Sequence, residues 1–202
     1  MKKCIVIVMI FAVCLSIAGC KTKAAKNQEA KAALQKVLDK EADFTYKNLV
    51  NASTSQENLK KFTFSTVYSA LEVFSPTRYM FADFDGNGVE ELLIASADLQ
   101  YCLLLHYEDG TVYGNILDFI SHKHIGTDGS FLIEAFTGSK RQLCKVSFDG
   151  PNCNLKILAY ISAYSETYQV NYKDVSKAEA EAYIDKWDQN TEKYSWEKLP
   201  QQ

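Results

Sequence analysis

The segment 83–91 is the part of the chain whose residue types and spacing could do chemistry. Its sequence is DFDGNGVEE, which places oxygen-bearing side chains at the first, third, fifth and ninth positions. Calcium takes about six to eight oxygen ligands, so a short loop that binds it must carry several oxygens close together. The sequence therefore predicts a calcium-binding loop. Its predicted ligands are four side chains and one backbone carbonyl: Asp83, Asp85, Asn87, the carbonyl of Val89, and Glu91.

Other interpretations of this loop stay open. Gly86 and Gly88 permit tight curvature around an ion, but Asn-Gly between apolar strands also suffices for a plain hairpin turn. An EF-hand opens with the same pattern, yet its bidentate glutamate stands at position twelve, where this chain has Ile94. Strand-like sequence on both sides also disfavours an EF-hand, which needs flanking helices. Calcium bound here would be structural, because protein ligands fill the ion-binding positions.

The remaining polar residues offer weaker constellations. The chain has neither a Gly-x-Ser-x-Gly elbow nor a phosphate-binding loop, so we nominate no catalytic residue. His122 and His124 could bind a metal together, but no third ligand can be assigned, and loop histidines facing solvent are the alternative. Four tyrosines spaced four residues apart could form a stacking platform for sugars, or could be core and cross-strand residues. These are Tyr160, Tyr164, Tyr168 and Tyr172.

Strand and turn patterns dominate the chain from Tyr79 onward. Short apolar or alternating runs are separated by Asp-Gly and Asn-Gly pairs, which supply the positive φ of tight hairpin turns. Successive strands should therefore pair as an antiparallel β-meander, in a single sheet or a partial barrel. The predicted strands lie near residues 78–84, 91–97, 101–108, 111–119, 130–136, 141–148, 154–163 and 166–172.

A helix is predicted on each side of the meander, which makes the fold class α+β. Apolar residues at helical spacing predict an N-terminal helix over about residues 28–42. Ser176 and Glu179 form a capping box that starts a C-terminal helix. Residues 44–74 fit either a helix or a strand followed by a helix. One face of the C-terminal helix carries Ala180, Tyr183, Ile184 and Trp187.

The first twenty residues have the pattern of a secretory signal. A charged start precedes a short apolar run, and small residues stand directly before Cys20. The run is too short to span a bilayer, although a transmembrane helix is the alternative interpretation. The end of this segment resembles the lipobox of bacterial lipoproteins. That resemblance implies that residues 1–19 are removed and that Cys20 carries a diacylglyceryl lipid, with acyl chains such as palmitate.

The chain that remains after cleavage fits one domain. Residues 20–29 are predicted as the lipidated cysteine and a short tether, and residues 30–202 as a single α+β domain. The net charge of −3 includes no long run of either sign, which disfavours nucleic acid as a partner. The cysteines of the domain allow at most one disulfide and have no zinc-binding spacing. They are Cys102, Cys144 and Cys153.

Four segments carry a wider resemblance: residues 33–38, 81–92, 106–114 and 175–196. Together they resemble a group of uncharacterised Firmicutes surface lipoproteins, a resemblance that implies no particular activity. The loop at 83–91 is similar to the calcium loops between strands in FG-GAP and VCBS-type repeats. Such loops are typical in tandem copies, whereas this chain has one.

These features predict an extracytoplasmic protein, anchored to the cell membrane by lipid, that binds a surface protein or a glycan. A cell-envelope hydrolase is the alternative. A cleft with perturbed carboxylates or a Ser/His pair would favour the hydrolase, and a shallow aromatic face would favour binding.

Overall fold

A computed structural model describes most of the region predicted to be the domain. The described residues are 22–47, 59–62, 76–96, 101–118, 120–134 and 139–199. The predicted signal and Cys20 lie outside them, as does much of the segment 44–74.

Two helices and thirteen strands are formed by the described residues. The helices are α1 (Lys23–Leu38) and α2 (Lys177–Asn190). The strands are β1 (Phe44–Lys47), β2 (Leu59–Phe62), β3 (Pro76–Ala82), β4 (Glu91–Ser96), β5 (Tyr101–Glu108), β6 (Thr111–Asp118), β7 (Ile120–Ile125), β8 (Ser130–Glu134), β9 (Lys140–Asp149), β10 (Asn152–Ser162), β11 (Thr167–Val170), β12 (Lys173–Asp174) and β13 (Glu197–Lys198).

The strands divide into two sheets. Sheet A has the order β13-β3-β4-β5-β6-β1-β2, and sheet B has the order β12-β11-β10-β9-β8-β7. Neighbouring strands pair antiparallel except β1 and β6, which are parallel. This confirms an α+β fold with antiparallel meanders, β3 to β6 and β7 to β12. The strands form two sheets where the sequence suggested one, and neither sheet closes into a barrel within the described ranges.

The division into two sheets follows from strands that are apolar on both faces. All of β4 is buried, and its side chains alternate between two cores. Leu93 and Ala95 join residues of sheet B such as Phe131 in a core between the sheets. Leu92 and Ile94 face the opposite way, into a core covered by α1. Sheet B is covered in the same way by α2, so the layers run α1, sheet A, sheet B, α2.

Helix α1 begins several residues earlier than the sequence predicted. Its N-cap is Thr22, whose Oγ1 accepts a hydrogen bond from the Ala25 amide at 3.3 Å. Residues 23–29, predicted as part of the tether, are therefore its first two turns. Their Ala, Lys and Gln residues are good helix formers, and the sequence interpretation missed them because they include no large apolar side chain. The buried face begins only at Ala30.

Helix α2 confirms the predicted capping box. The Glu179 amide donates to Ser176 Oγ at 3.3 Å, and Glu179 Oε2 accepts from the Ser176 amide at 2.8 Å. Ala180 and Ile184 are fully buried against sheet B. Neither of the described helices has the length and apolarity that crossing a membrane requires.

The two weaker constellations belong to sheet B and its turns. His122 and His124 belong to β7, which the sequence did not predict, and their side chains lie outside what the structure describes. Tyr168 packs into the core beneath α2. Tyr160 pairs with Gln169, next to the Ile161–Tyr168 pair, and so points to the opposite face of the sheet. The tyrosines therefore do not share one sheet face.

Candidate metal centre

The loop 83–91 connects two paired strands of sheet A. Ala82, the last residue of β3, lies opposite Glu91, the first residue of β4. The hairpin therefore brings together the two ends of the loop, Asp83 and Glu91. Asp85 lies between these two residues in the chain. Carboxylate oxygens of Asp83, Asp85 and Glu91 all lie within 4.8 Å of one another. This is the one group of three such ligand residues among the residues described.

Hydrogen bonds inside the loop fix its curvature. The Asn87 amide donates to Asp85 Oδ1 at 2.9 Å, and the Gly88 amide donates to Asp83 Oδ2 at 2.8 Å. Asn87 also accepts from the Val89 amide, at 2.6 Å. Gly88 has a φ of 83°, which an L side chain rarely adopts. The loop thus holds all five predicted ligand residues, with three carboxylates converging and Asn87 and Val89 bonded beside them.

Glu91 is the most deeply buried of these acids. Its side chain is 2% exposed, and its Oε2 accepts a hydrogen bond from the Phe84 amide at 2.7 Å. Burial, followed by the charges of Asp85 and Asp83, raises the pKa of Glu91 to about 9. Burial, followed by the charge of Asp83, also raises the pKa of Asp85. A cation at this point would offset both effects.

Asp83 provides a second indication that the acidic cluster binds a cation. Its Oδ1 atom is buried and has no hydrogen-bond partner among the described residues. A buried carboxylate oxygen without a donor costs free energy, because it has lost its water and gained nothing in return. A bound metal ion would supply the missing interaction.

The surrounding elements hold the loop on two sides. On one side, α1 contributes Asn27, whose Oδ1 accepts from the Glu90 amide at 2.8 Å, and Lys31, whose Nζ lies 2.8 Å from Glu90 Oε2. The segment predicted as a tether thus contacts the loop directly. On the other side, Gly129 in the turn between β7 and β8 lies against the backbone of Asp83 and Phe84.

Replacing Gly129 with alanine is expected to destabilise the protein more than replacing Gly110 with alanine. Both glycines have positive φ, 76° and 84°, so both substitutions carry the left-handed penalty of about 1 kcal/mol. Only at Gly129 would the new Cβ also meet backbone, 2.8 Å from the Phe84 carbonyl carbon and 3.1 Å from the Asp83 oxygen. Urea unfolding of both variants measures the difference, and equal losses would contradict this packing.

Comparisons of the chain with protein-family models, with curated proteins and with solved structures found no match.

A cavity of about 690 Å³ adjoins the loop. Asp85, Asn87, Val89 and Glu91 contribute to its wall, so the loop has one side that faces open space. The sequence interpretation, in which protein ligands fill every position, did not anticipate this. The wall also includes His106, which the sequence did not single out because a lone histidine in a strand carries no motif.

None of the three described cysteines forms a disulfide. Cys102 and Cys144 are buried in the core between the sheets, and Cys153 packs against that core. Burial raises the pKa of Cys144 to about 11 and that of Cys153 to about 12. Both thiols therefore stay protonated near neutral pH and are poor nucleophiles.

Proposed function

We propose that this chain is a lipid-anchored binding protein outside the cytoplasm, and that its loop 83–91 binds one calcium ion. The observation that carries the metal part is the buried Asp83 Oδ1, which has no hydrogen-bond partner among the described residues and lies in a cluster with Asp85 and Glu91. Two buried or half-buried acids with raised pKa values and a third with an unpartnered oxygen make a site that a divalent cation would stabilise.

Calcium fits these ligands better than magnesium. The cluster offers three carboxylates, with the Asn87 side chain and the Val89 carbonyl in the same loop. Calcium accepts such a mixed set of oxygens in flexible geometry, whereas magnesium demands a near-ideal octahedron and keeps several waters. A calcium ion here would link the ends of β3 and β4, which pair at Ala82 and Glu91.

The lipid anchor is supported by the sequence before the domain. The charged start, the apolar run and the small residues before Cys20 match a lipoprotein signal. Two acyl chains on Cys20 would suffice for stable membrane attachment. Since α1 begins at Lys23, the domain would then stand close to the membrane surface.

A cell-envelope hydrolase is the second candidate, and one observation favours it. Glu91 has a pKa raised to about 9 and contributes to the wall of the cavity beside Asp85, as a general acid would. The two functions make opposite demands on the same residue. A general acid must hold a proton and reach the substrate, whereas a calcium ligand must be ionised and occupied by the ion.

Thermal unfolding of the purified protein with EDTA, calcium or magnesium tests the proposal. Calcium at about one hundred times its dissociation constant should stabilise the fold by about 2.7 kcal/mol. For a domain of this size, that corresponds to a rise in melting temperature of about 5–10 °C. Asp83→Ala should lose the rise, and Asp109→Ala, a matched change outside the acidic cluster, should retain it. No rise in the wild type would refute the calcium site.

Hydrolysis is distinguished by its response to the ion. Under the binding proposal, no cell-envelope polysaccharide or peptide is cleaved with calcium or without it. Cleavage that EDTA increases and Glu91→Gln abolishes would establish the hydrolase instead.

A further inference from the structure

The cavity beside the loop has the size of a small-molecule site. Its volume of about 690 Å³ lies within the range of about 300–1,000 Å³ that is typical of ligand pockets. Its wall combines α1, the loop 83–91, the turn between β5 and β6, and Phe148 of β9. Elements of both sheets and a helix therefore converge on it.

His106 gives this wall a buried ring that a hydrogen bond holds in place. The side chain is 2% exposed, and its Nε2 lies 2.8 Å from the backbone oxygen of Gly150. A carbonyl oxygen accepts, so Nε2 carries the proton and Nδ1 has a free lone pair. Nδ1 is buried and has no hydrogen-bond partner in the described part of the chain. Because Nδ1 is closed off from the cavity, His106 contributes a fixed ring to the wall and no acceptor for a ligand.

Aromatic packing holds the His106 ring in place. The ring stacks on Phe148, with centroids 4.1 Å apart and planes inclined by 18°. On β6, Tyr113 stacks against the same ring at 5.4 Å. This part of the wall is therefore fixed before any ligand arrives, which lowers the cost of binding.

The charges of the wall favour a ligand rich in hydroxyl groups. Five acids and two lysines contribute to it: Glu29, Asp85, Glu91, Glu108, Asp109, Lys23 and Lys26. Even with a divalent ion in the loop, negative charge remains in excess, which disfavours an anionic ligand. Carboxylates are acceptors only, so they match hydroxyl donors.

The wall also offers apolar surface for a sugar ring. Phe148 and Tyr107 both contribute to it, and the Tyr107 hydroxyl donates to Glu29 at 2.7 Å. Tyr107 is thereby held in one position. Aromatic side chains beside convergent polar groups are the usual composition of a small-molecule site.

From this geometry we infer that the cavity binds a neutral saccharide. Vicinal hydroxyls of the sugar would complete the coordination of the ion in the loop, and a further hydroxyl would donate to the carboxylate of Asp109 in the wall. The inference rests on the proposed calcium site and names the ligand class of that binding protein. No bond of the sugar is broken.

Titration calorimetry with neutral trisaccharides of glucose, mannose, galactose and N-acetylglucosamine tests the inference. At least one should bind to the calcium-loaded protein with a dissociation constant of about 1 mM or tighter. Removing calcium with EDTA should weaken that binding at least tenfold. Asp109→Asn should weaken it about tenfold, because a hydroxyl then loses a charged acceptor. Asp149→Asn, the same change at an exposed residue that does not contribute to the wall, should have no effect.

Asp83→Ala tests the part played by the ion separately, since Asp83 belongs to the acidic cluster but does not contribute to the cavity wall. It should lose the calcium-dependent rise in melting temperature and weaken saccharide binding as much as EDTA does. If calcium raises the melting temperature as proposed, three results would overturn the saccharide inference and leave the calcium site standing. They are no binding by any of the four sugars, equal binding by inorganic phosphate, and saccharide binding unchanged in Asp109→Asn. If calcium does not raise the melting temperature, the calcium site itself is refuted.

Discussion

Glu91→Gln is expected to stabilise the calcium-free protein by about 3 kcal/mol at pH 7 and to abolish its response to calcium. The pKa of Glu91 is about 9 in the folded protein, against an ordinary value of 4.5. At pH 7 the folded state therefore holds a proton that the unfolded state has released, and folding must take that proton up. Over the interval from 4.5 to 7 this costs about 3 kcal/mol. Glutamine removes the cost and can still accept from the Phe84 amide.

Because Glu91 takes up a proton on folding, the stability of the calcium-free wild type should depend on pH. A carboxyl group whose pKa is raised on folding leaves stability unchanged below about pH 4.5 and lowers it as the pH rises toward about 9. Urea unfolding in EDTA between about pH 5 and pH 9 should show this decline in the wild type, and Glu91→Gln should lack that part of it.

Glu90→Gln is the matched control for this experiment, since Glu90 is adjacent in the chain and pairs with Lys31 at the surface. It should change stability by less than about 1 kcal/mol. The account is contradicted if Glu91→Gln and Glu90→Gln have the same pH profile, or if Glu91→Gln retains the calcium response.

Phe84→Ala is expected to lower the free energy of unfolding by about 3–5 kcal/mol, the usual cost of truncating a buried phenylalanine. Phe84 lies within the loop, yet its side chain is 1% exposed and packs edge to face on Phe131, with centroids 6.5 Å apart. It thereby fixes the loop to the core between the sheets. Denaturant unfolding in EDTA measures this loss without any contribution from bound calcium.

Phe81→Ala provides the comparison for this substitution. Phe81 is half-buried at the opposite face of β3, where its ring meets Tyr79 at 6.1 Å. Phe81→Ala should lower the free energy of unfolding clearly less than Phe84→Ala does, because it returns less apolar surface to water. If Phe84→Ala lowers the free energy of unfolding no more than Phe81→Ala does, the loop is not fixed to the core in this way.

The candidate metal cluster could be predicted from the sequence because its residues are neighbours in the chain. Spacing alone places Asp83, Asp85 and Glu91 on one loop, and the hairpin between β3 and β4 then brings their carboxylates together. The capping box of α2 was predictable for the same reason, since Ser176 and Glu179 stand three residues apart. Local chemistry of this kind depends little on the rest of the fold.

The cavity could not be predicted, because its wall is assembled from distant segments. His106 is bonded to Gly150 and stacked on Phe148, residues more than forty positions away in the chain. No local pattern encodes such contacts. The same limit explains why the strands could be located and their division into two sheets could not. Burial of β4 on both faces is compatible with either arrangement until the partner of each face is known.

Calcium titration calorimetry at pH 7, in two buffers with different ionisation enthalpies, tests the central claim most directly. The account predicts one ion for each chain and the release of about one proton, because Glu91 is protonated before the ion binds. It further predicts that Asp83→Ala binds no calcium at this site. No binding by the wild type, or equal binding by Asp83→Ala, would contradict the assignment of loop 83–91 as a metal centre.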